Sequence, residues 1–149
     1  MSTTTAPTVR AQLITLLAAR PGLAGVLVTP VWQGDAATQE QMYLGKTSAD
    51  LDFATIRAGR KKREEDYAVD LVIDVERPDD WGPDSEERAF ALAAEVDDLV
   101  ADDPAIGLGA TLPTLRIHVS HLEQTSGALA EGGIGTRITL TLSVQSRLT

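Results

Sequence analysis

Few residues in this sequence have types and spacing that could support chemistry. His118 and His121 are its two histidines, and it contains no cysteine. Because successive side chains on a strand point to opposite faces, histidines three residues apart are expected to diverge and not to share a metal ion. The lack of cysteine excludes thiolate nucleophiles, disulfides and cysteine-ligated metals. We therefore expect neither a metal site nor a cofactor site.

Carboxylates offer a second possible chemistry. Asp70, Asp74 and Glu76 fall on one face of a predicted strand, and paired carboxylates can catalyse glycoside hydrolysis. Acids on the outward face of a half-buried strand are more often its solvated side, and a sugar site is hard to line with two Trp, two Tyr and two Phe. The G-L-G at 107–109 begins like a dinucleotide fingerprint, but Leu112 occupies the third glycine position. We predict no catalytic residues, and a structural or assembly role is favoured.

Composition narrows the function classes further. The 149 residues fit one domain, and a hydrophobic fraction of 43% is enough for a core. No window approaches eighteen apolar residues, and the opening MSTTTAPTVR lacks a basic and then apolar leader, so we expect neither a membrane span nor secretion. The net charge of −9 repels nucleic acid, so any DNA contact would be local or weak.

Charge is distributed unevenly along the chain. Six of the thirteen basic residues lie between Lys46 and Arg63, whereas sixteen of the twenty-two acidic residues lie between Glu64 and Asp103. Such polarity is typical of proteins whose copies meet head to tail, and an unevenly charged solvated surface would explain it equally well.

Hydrophobic spacing predicts two helices. The first runs from Pro7 to Arg20 and is stopped by the Pro-Gly pair at 21–22. The second follows Asp84 and Glu87, whose spacing predicts a capping box. The apolar positions are Val9, Leu13, Leu16 and Leu17 in the first helix, and Ala89, Leu92, Ala93, Val96, Leu99 and Val100 in the second.

Apolar runs and alternation predict five strands, over residues 26–32, 41–44, 67–76, 115–119 and 138–144. The irregular segment at about 45–64 is predicted to form a long extended hairpin arm, and 125–135 a long mobile loop. We predict an α+β fold in a single domain over residues 1–149, with a mainly antiparallel sheet and two helices packed on one face. The polar faces of the strands would then meet solvent or a neighbouring subunit.

Taken as a whole, the chain resembles the small tail terminator proteins of long-tailed, siphovirus-type bacteriophages, especially those infecting actinobacteria. The resemblance is one of organisation and covers nearly the full length. It is carried by the opening helix VRAQLITLLAARPGLAGVLV, the segment VWQGD, the short strand YLG, the turn and long strand GRKKREEDYAVDLVIDV, the helix EERAFALAAEVDDLVADDP and the final strand GTRITLTLSV.

This resemblance implies a structural protein and not an enzyme. Tail terminators form a hexameric ring that caps the tail tube, stops its polymerisation and presents a surface to the head-completion proteins. The implied partners are further copies of the chain, the major tail tube protein and a head-completion (neck) protein, with DNA crossing the channel only transiently and no membrane contact. The implied location is the head-proximal end of the virion tail, after assembly in the host cytoplasm.

Five basic residues of the arm are the candidate interface with a neighbouring subunit or with the tube: Arg57, Arg60, Lys61, Lys62 and Arg63. Two other hypotheses stay open. A head-completion or connector protein would also form a ring but would bind the portal side. A small intracellular enzyme or ligand-binding domain would have its site at an oligomer interface.

Overall fold

Two helices lie on one face of a five-stranded sheet in the computed structural model, which describes residues 4–34, 39–49 and 63–148. The elements are α1 (Ala6–Ala19), a short 3-10 turn (Pro21–Leu23), β1 (Leu27–Thr29), β2 (Glu40–Ser48), β3 (Arg63–Pro78), α2 (Asp84–Asp102), β4 (Arg116–Ala128) and β5 (Gly133–Leu148). The predicted α+β architecture, with its mainly antiparallel sheet and two helices, is confirmed.

The strand order in the sheet is β1-β2-β3-β5-β4. β1 runs parallel to β2, and every other neighbouring pair is antiparallel. β3 and β5 pair over sixteen residues each, with Leu71 opposite Leu140. The last strand of the chain therefore lies inside the sheet, between β3 and β4.

The core forms between the helices and one face of the sheet. Of the four apolar positions that helical spacing predicts for α1, Val9, Leu13 and Leu17 are buried and Leu16 is half-buried. The α2 stripe is also confirmed, with Leu99 half-buried and its other members buried. On β3 and β5, the inward residues are Tyr67, Val69, Leu71, Ile73 and Val75, and Ile138, Leu140, Leu142 and Val144. The other sheet face carries neither described helix, and we call it the helix-free face.

Three local predictions are wrong. β1 covers only residues 27–29 of the predicted 26–32, because Pro30 has no amide hydrogen to continue the ladder. The predicted loop at 125–135 is mostly strand, since β4 extends to Ala128 and β5 begins at Gly133, which leaves a four-residue turn. Asp84 is not a cap: α2 begins at this residue, Pro83 is the N-cap position, and no side chain caps the helix.

The predicted arm at about 45–64 is described only at its two ends. Residues 45–48 are the end of β2, and residues 63–64 are the start of β3. The arm between them, residues 50–62, lies outside the described residues, so the arm stays a prediction.

Candidate interaction surfaces

The two histidines lie on the same face of β4, contrary to the expectation that they would diverge. A bulge between Val119 and His121 inserts one extra residue, so that His118 lies opposite Ser143 and His121 opposite Thr141. Both histidines are exposed on the helix-free face, and His121 Nε2 lies 3.2 Å from Glu123 Oε1. Within the described residues, no cluster of three or more His, Cys, Asp or Glu side chains could hold a metal ion.

The three carboxylates of β3 share the helix-free face, as predicted. Asp74 lies opposite Arg137, whose Nε and Nη2 donate to its two oxygens at 2.7 and 3.1 Å. The Tyr43 hydroxyl lies 3.3 Å from the same carboxylate. Because both carboxylate oxygens accept hydrogen bonds from one guanidinium, Asp74 links β3 to β5.

A partly buried ion-pair network ties β2, β3 and α2 together. Arg77 donates from Nη2 to Glu40 at 2.6 Å and from Nε to Asp84 at 2.5 Å. Arg88 donates to the other Glu40 oxygen at 3.0 Å. Burial alone would raise the pKa of Glu40, but hydrogen bonds and charge from the two arginines outweigh it and hold that pKa below its ordinary value. Glu40 is therefore ionised at neutral pH and anchors the start of α2 to the sheet.

A chain of three hydroxyl groups fixes the same helix to β4 and β5. The Thr136 Oγ1 atom lies 2.9 Å from Ser85 Oγ and 2.9 Å from Ser126 Oγ. Ser85 and Thr136 are buried, and Thr136 is the partner that satisfies the Ser85 hydroxyl. With the ion-pair network, this arrangement holds α2 in a fixed position above the sheet.

The two helical halves of the molecule carry opposite charge. Residues 79–103, which include α2, contain ten acidic residues and one basic residue, Arg88. The described residues before β3 contain three basic residues, Arg10, Arg20 and Lys46, and one acidic residue, Glu40. The α1, β1 and β2 side is therefore mildly basic, and the α2 side is strongly acidic.

Several large apolar side chains are exposed instead of joining the core. Trp32 is 53% exposed, Val31 56%, Trp81 63%, Phe90 41% and Leu122 42%. Tryptophan dominates the energetics of many protein interfaces, so exposing both tryptophans of a chain with few aromatics marks candidate contact points.

Sequence analysis missed these contact points, although one signal was available. Phe90 falls outside the apolar stripe of α2, and a large aromatic side chain on the polar face of a helix indicates a possible interaction site. Trp81 lies in the turn between β3 and α2, where sequence spacing says nothing about exposure.

The basic residues predicted to form an interface are largely untested. Arg57, Arg60, Lys61 and Lys62 lie outside the described residues. The backbone of Arg63 begins β3 and is aligned with Leu148 of β5. The grouping of these five residues into one interface and their role therefore both stay predictions.

Neither helix in the described part of the chain is both long enough and apolar enough to cross a membrane. Comparison of the sequence with protein-family models and with curated proteins found no match.

Proposed function

We propose that this chain is a tail-terminator-like structural protein of a long-tailed phage. In this proposal, copies of the chain form a ring, hexameric as in that family, which caps the tail tube and stops its polymerisation. The observation that carries the proposal is the separation of charge between the mildly basic α1, β1 and β2 side and the acidic α2 side. Two unlike, complementary surfaces on one molecule are what a closed head-to-tail ring requires.

The overall charge supports the same proposal. A ring at the head end of a tail surrounds the path of DNA, and each cationic contact to a phosphate would slow that DNA. A chain with a net charge of −9 forms a ring that repels DNA and leaves it free to pass. The protein would belong to the head-proximal end of the tail and would contact the major tail tube protein and a head-completion protein.

A phage lacking this protein tests the proposal directly. We expect tails of uncontrolled length that fail to join heads, measured by electron microscopy of lysates, with normal tails restored by supplying the protein in trans. Tails of normal length attached to heads would contradict the proposal. Binding of the purified protein to capsids and not to isolated tail tubes would instead favour a head-completion protein.

A further inference from the structure

We infer that copies of this chain meet head to tail, with the β1 edge of the sheet in one copy contacting the β4 edge in the next. The β1-edge patch consists of Val31 and Trp32, and the β4-edge patch consists of Phe90 and Leu122. The occupant of each patch is therefore a second copy of this chain. The inference specifies which surfaces meet in the proposed ring. It rests on the proposed function only where it assumes that these contacts close into a ring at the end of a tail.

The β1-edge patch follows the outermost strand on one side of the sheet. β1 has no neighbour other than β2 among the described strands, and the chain continues from it into Val31 and Trp32. The Val31 carbonyl accepts hydrogen bonds from Thr29 Oγ1 at 2.7 Å and from Gln33 Nε2 at 3.2 Å. Local hydrogen bonds thus hold this segment while its two apolar side chains face outward.

Phe90 lies on the side of α2 that faces away from α1. Arg88 and Glu95 mark the side facing α1 and β2, because they pair with Glu40 and Arg20. Phe90 follows Arg88 by two residues, which places it roughly 200° further around the helix axis. Its side chain therefore projects toward the β4 side of the molecule.

Leu122 reaches the same side from the sheet. It lies opposite Leu140, a buried core residue, so its side chain is on the helix-covered face of β4. β4 is the last strand in the sheet order, and α2 leaves Leu122 exposed there. Phe90 and Leu122 are therefore both exposed apolar side chains on the β4 side of the molecule.

Charge identifies the partner as another copy in a head-to-tail arrangement. Glu86 and Asp97 lie one turn before and two turns after Phe90, and both are exposed. Arg10 and Lys46 lie on the β1 and β2 side, where Arg10 Nη1 donates to the Gly45 carbonyl at 2.8 Å. Two β4 edges would bring acidic surfaces together, whereas a β4 edge against a β1 edge pairs opposite charges.

Two variants test the contact through complementation. Trp32→Ala removes the centre of the β1-edge patch, and Phe90→Ala removes the centre of the β4-edge patch. Each variant is expected to self-associate roughly tenfold or more weakly than the unchanged chain, measured by sedimentation velocity over a concentration series. Mixed together, the two variants still hold one intact β1-edge patch and one intact β4-edge patch. The mixture should therefore form a dimer containing one of each variant and nothing larger.

Trp81→Ala is the matched control. Trp81 is an exposed tryptophan at the end of the sheet, in the turn where the Asp80 carbonyl accepts a hydrogen bond from the Ile134 amide at 3.1 Å. This variant should associate like the unchanged chain, and all three variants should keep the unfolding midpoint because the side chains are exposed.

Several results would overturn the inference: an unchanged chain that is monomeric at every concentration, a mixture that stays monomeric, or Trp81→Ala weakening association as much as the other variants. A different result would contradict the proposed function. If complementation succeeds but the purified protein does not bind isolated tail tubes, the contact stands and the tail role is wrong. If the protein binds tubes but the mixture does not form the dimer, only the contact is wrong.

Discussion

Replacing Leu71 with alanine should strongly destabilise this fold. Leu71 is fully buried at the middle of β3, with Leu44 of β2 on one side and Leu140 of β5 on the other. The side chain points toward α2, which contacts both β3 and β5. Few nearby groups can move into the space that the substitution leaves, because neighbouring strands and a helix enclose it.

The size of the effect follows from the atoms removed. Leucine loses about three carbon atoms on becoming alanine, and at ~0.8 kcal/mol each this gives ~2.4 kcal/mol of lost burial. A residual cavity of roughly 60 Å³ adds ~1.5 kcal/mol at ~24 cal/mol per Å³. We therefore expect a loss of about 4 kcal/mol in the free energy of unfolding, within the usual range of about 2–5 kcal/mol for buried leucines.

Urea unfolding followed by far-UV circular dichroism measures this loss. With an m-value of ~2 kcal/mol per M, the midpoint should fall by ~2 M. Asp70→Asn is the control, because Asp70 is the neighbouring residue on the helix-free face, and it should change the free energy by less than about 0.5 kcal/mol. If Asp70→Asn were as damaging as Leu71→Ala, the reasoning from strand faces would be refuted.

Three further changes probe the networks and the predicted arm. The pKa of Glu40 lies below its ordinary value of 4.5, so its ionised form stabilises the fold above that pH. The stability advantage of the unchanged chain over Glu40→Gln should accordingly shrink as pH falls from about 7 to about 3.5, measured by urea midpoints. Thr136→Val should cost about 1–3 kcal/mol by leaving a buried serine hydroxyl unpaired, whereas Thr139→Val on the helix-free face should cost less than ~0.5 kcal/mol in the same assay. Reversing Arg60, Lys61 and Lys62 to Glu should weaken self-association or tube binding without lowering the thermal midpoint, because the predicted arm would be solvated and exposed charges contribute little to stability.

Each of these predictions has a contradicting result. A pH-independent difference for Glu40→Gln would mean that the carboxylate is not held ionised by its arginines. Equal losses for the two threonine variants would show that the buried hydroxyl chain adds nothing. Assembly that survives the triple reversal would show that residues 60–62 are only a solvated segment.

Periodicity predicted the core of this molecule well and its connections poorly. Burial produces a regular spacing of apolar residues that can be seen in the sequence. This spacing is the alternation from Tyr67 to Val75 and the helical stripe from Ala89 to Val100. The segment 125–135 is predicted as a loop because it is rich in glycine, which has low strand propensity. Hydrogen bonding between β4 and β5 outweighs that low propensity, and no local sequence pattern predicts this pairing.

Two wrong predictions, for the histidines and for Asp84, concern features that a sequence pattern does not indicate. The bulge at Ser120 reverses the alternation along β4, so the faces of His118 and His121 could not be assigned by counting residues. The Asp84 carboxylate accepts from Arg77, a residue of another element, instead of capping its own helix. The exposure of Trp32 and Trp81 depends likewise on how the elements pack, so the candidate contact points emerged only from the fold.

The position of β5 also determines when this protein can finish folding. A ribosome makes residues 133–148 after every other described element, yet this strand joins β3 to β4 at the centre of the sheet. Until it emerges, β4 has no described neighbour in the sheet, β3 is unpaired on one side, and α2 lacks one of the strands on which its apolar face packs. Such late, long-range pairing is slow, and it leaves hydrophobic surface and unpaired strand edges exposed during synthesis. Newly made chains should therefore depend on chaperones, or on slow translation, until β5 has joined the sheet.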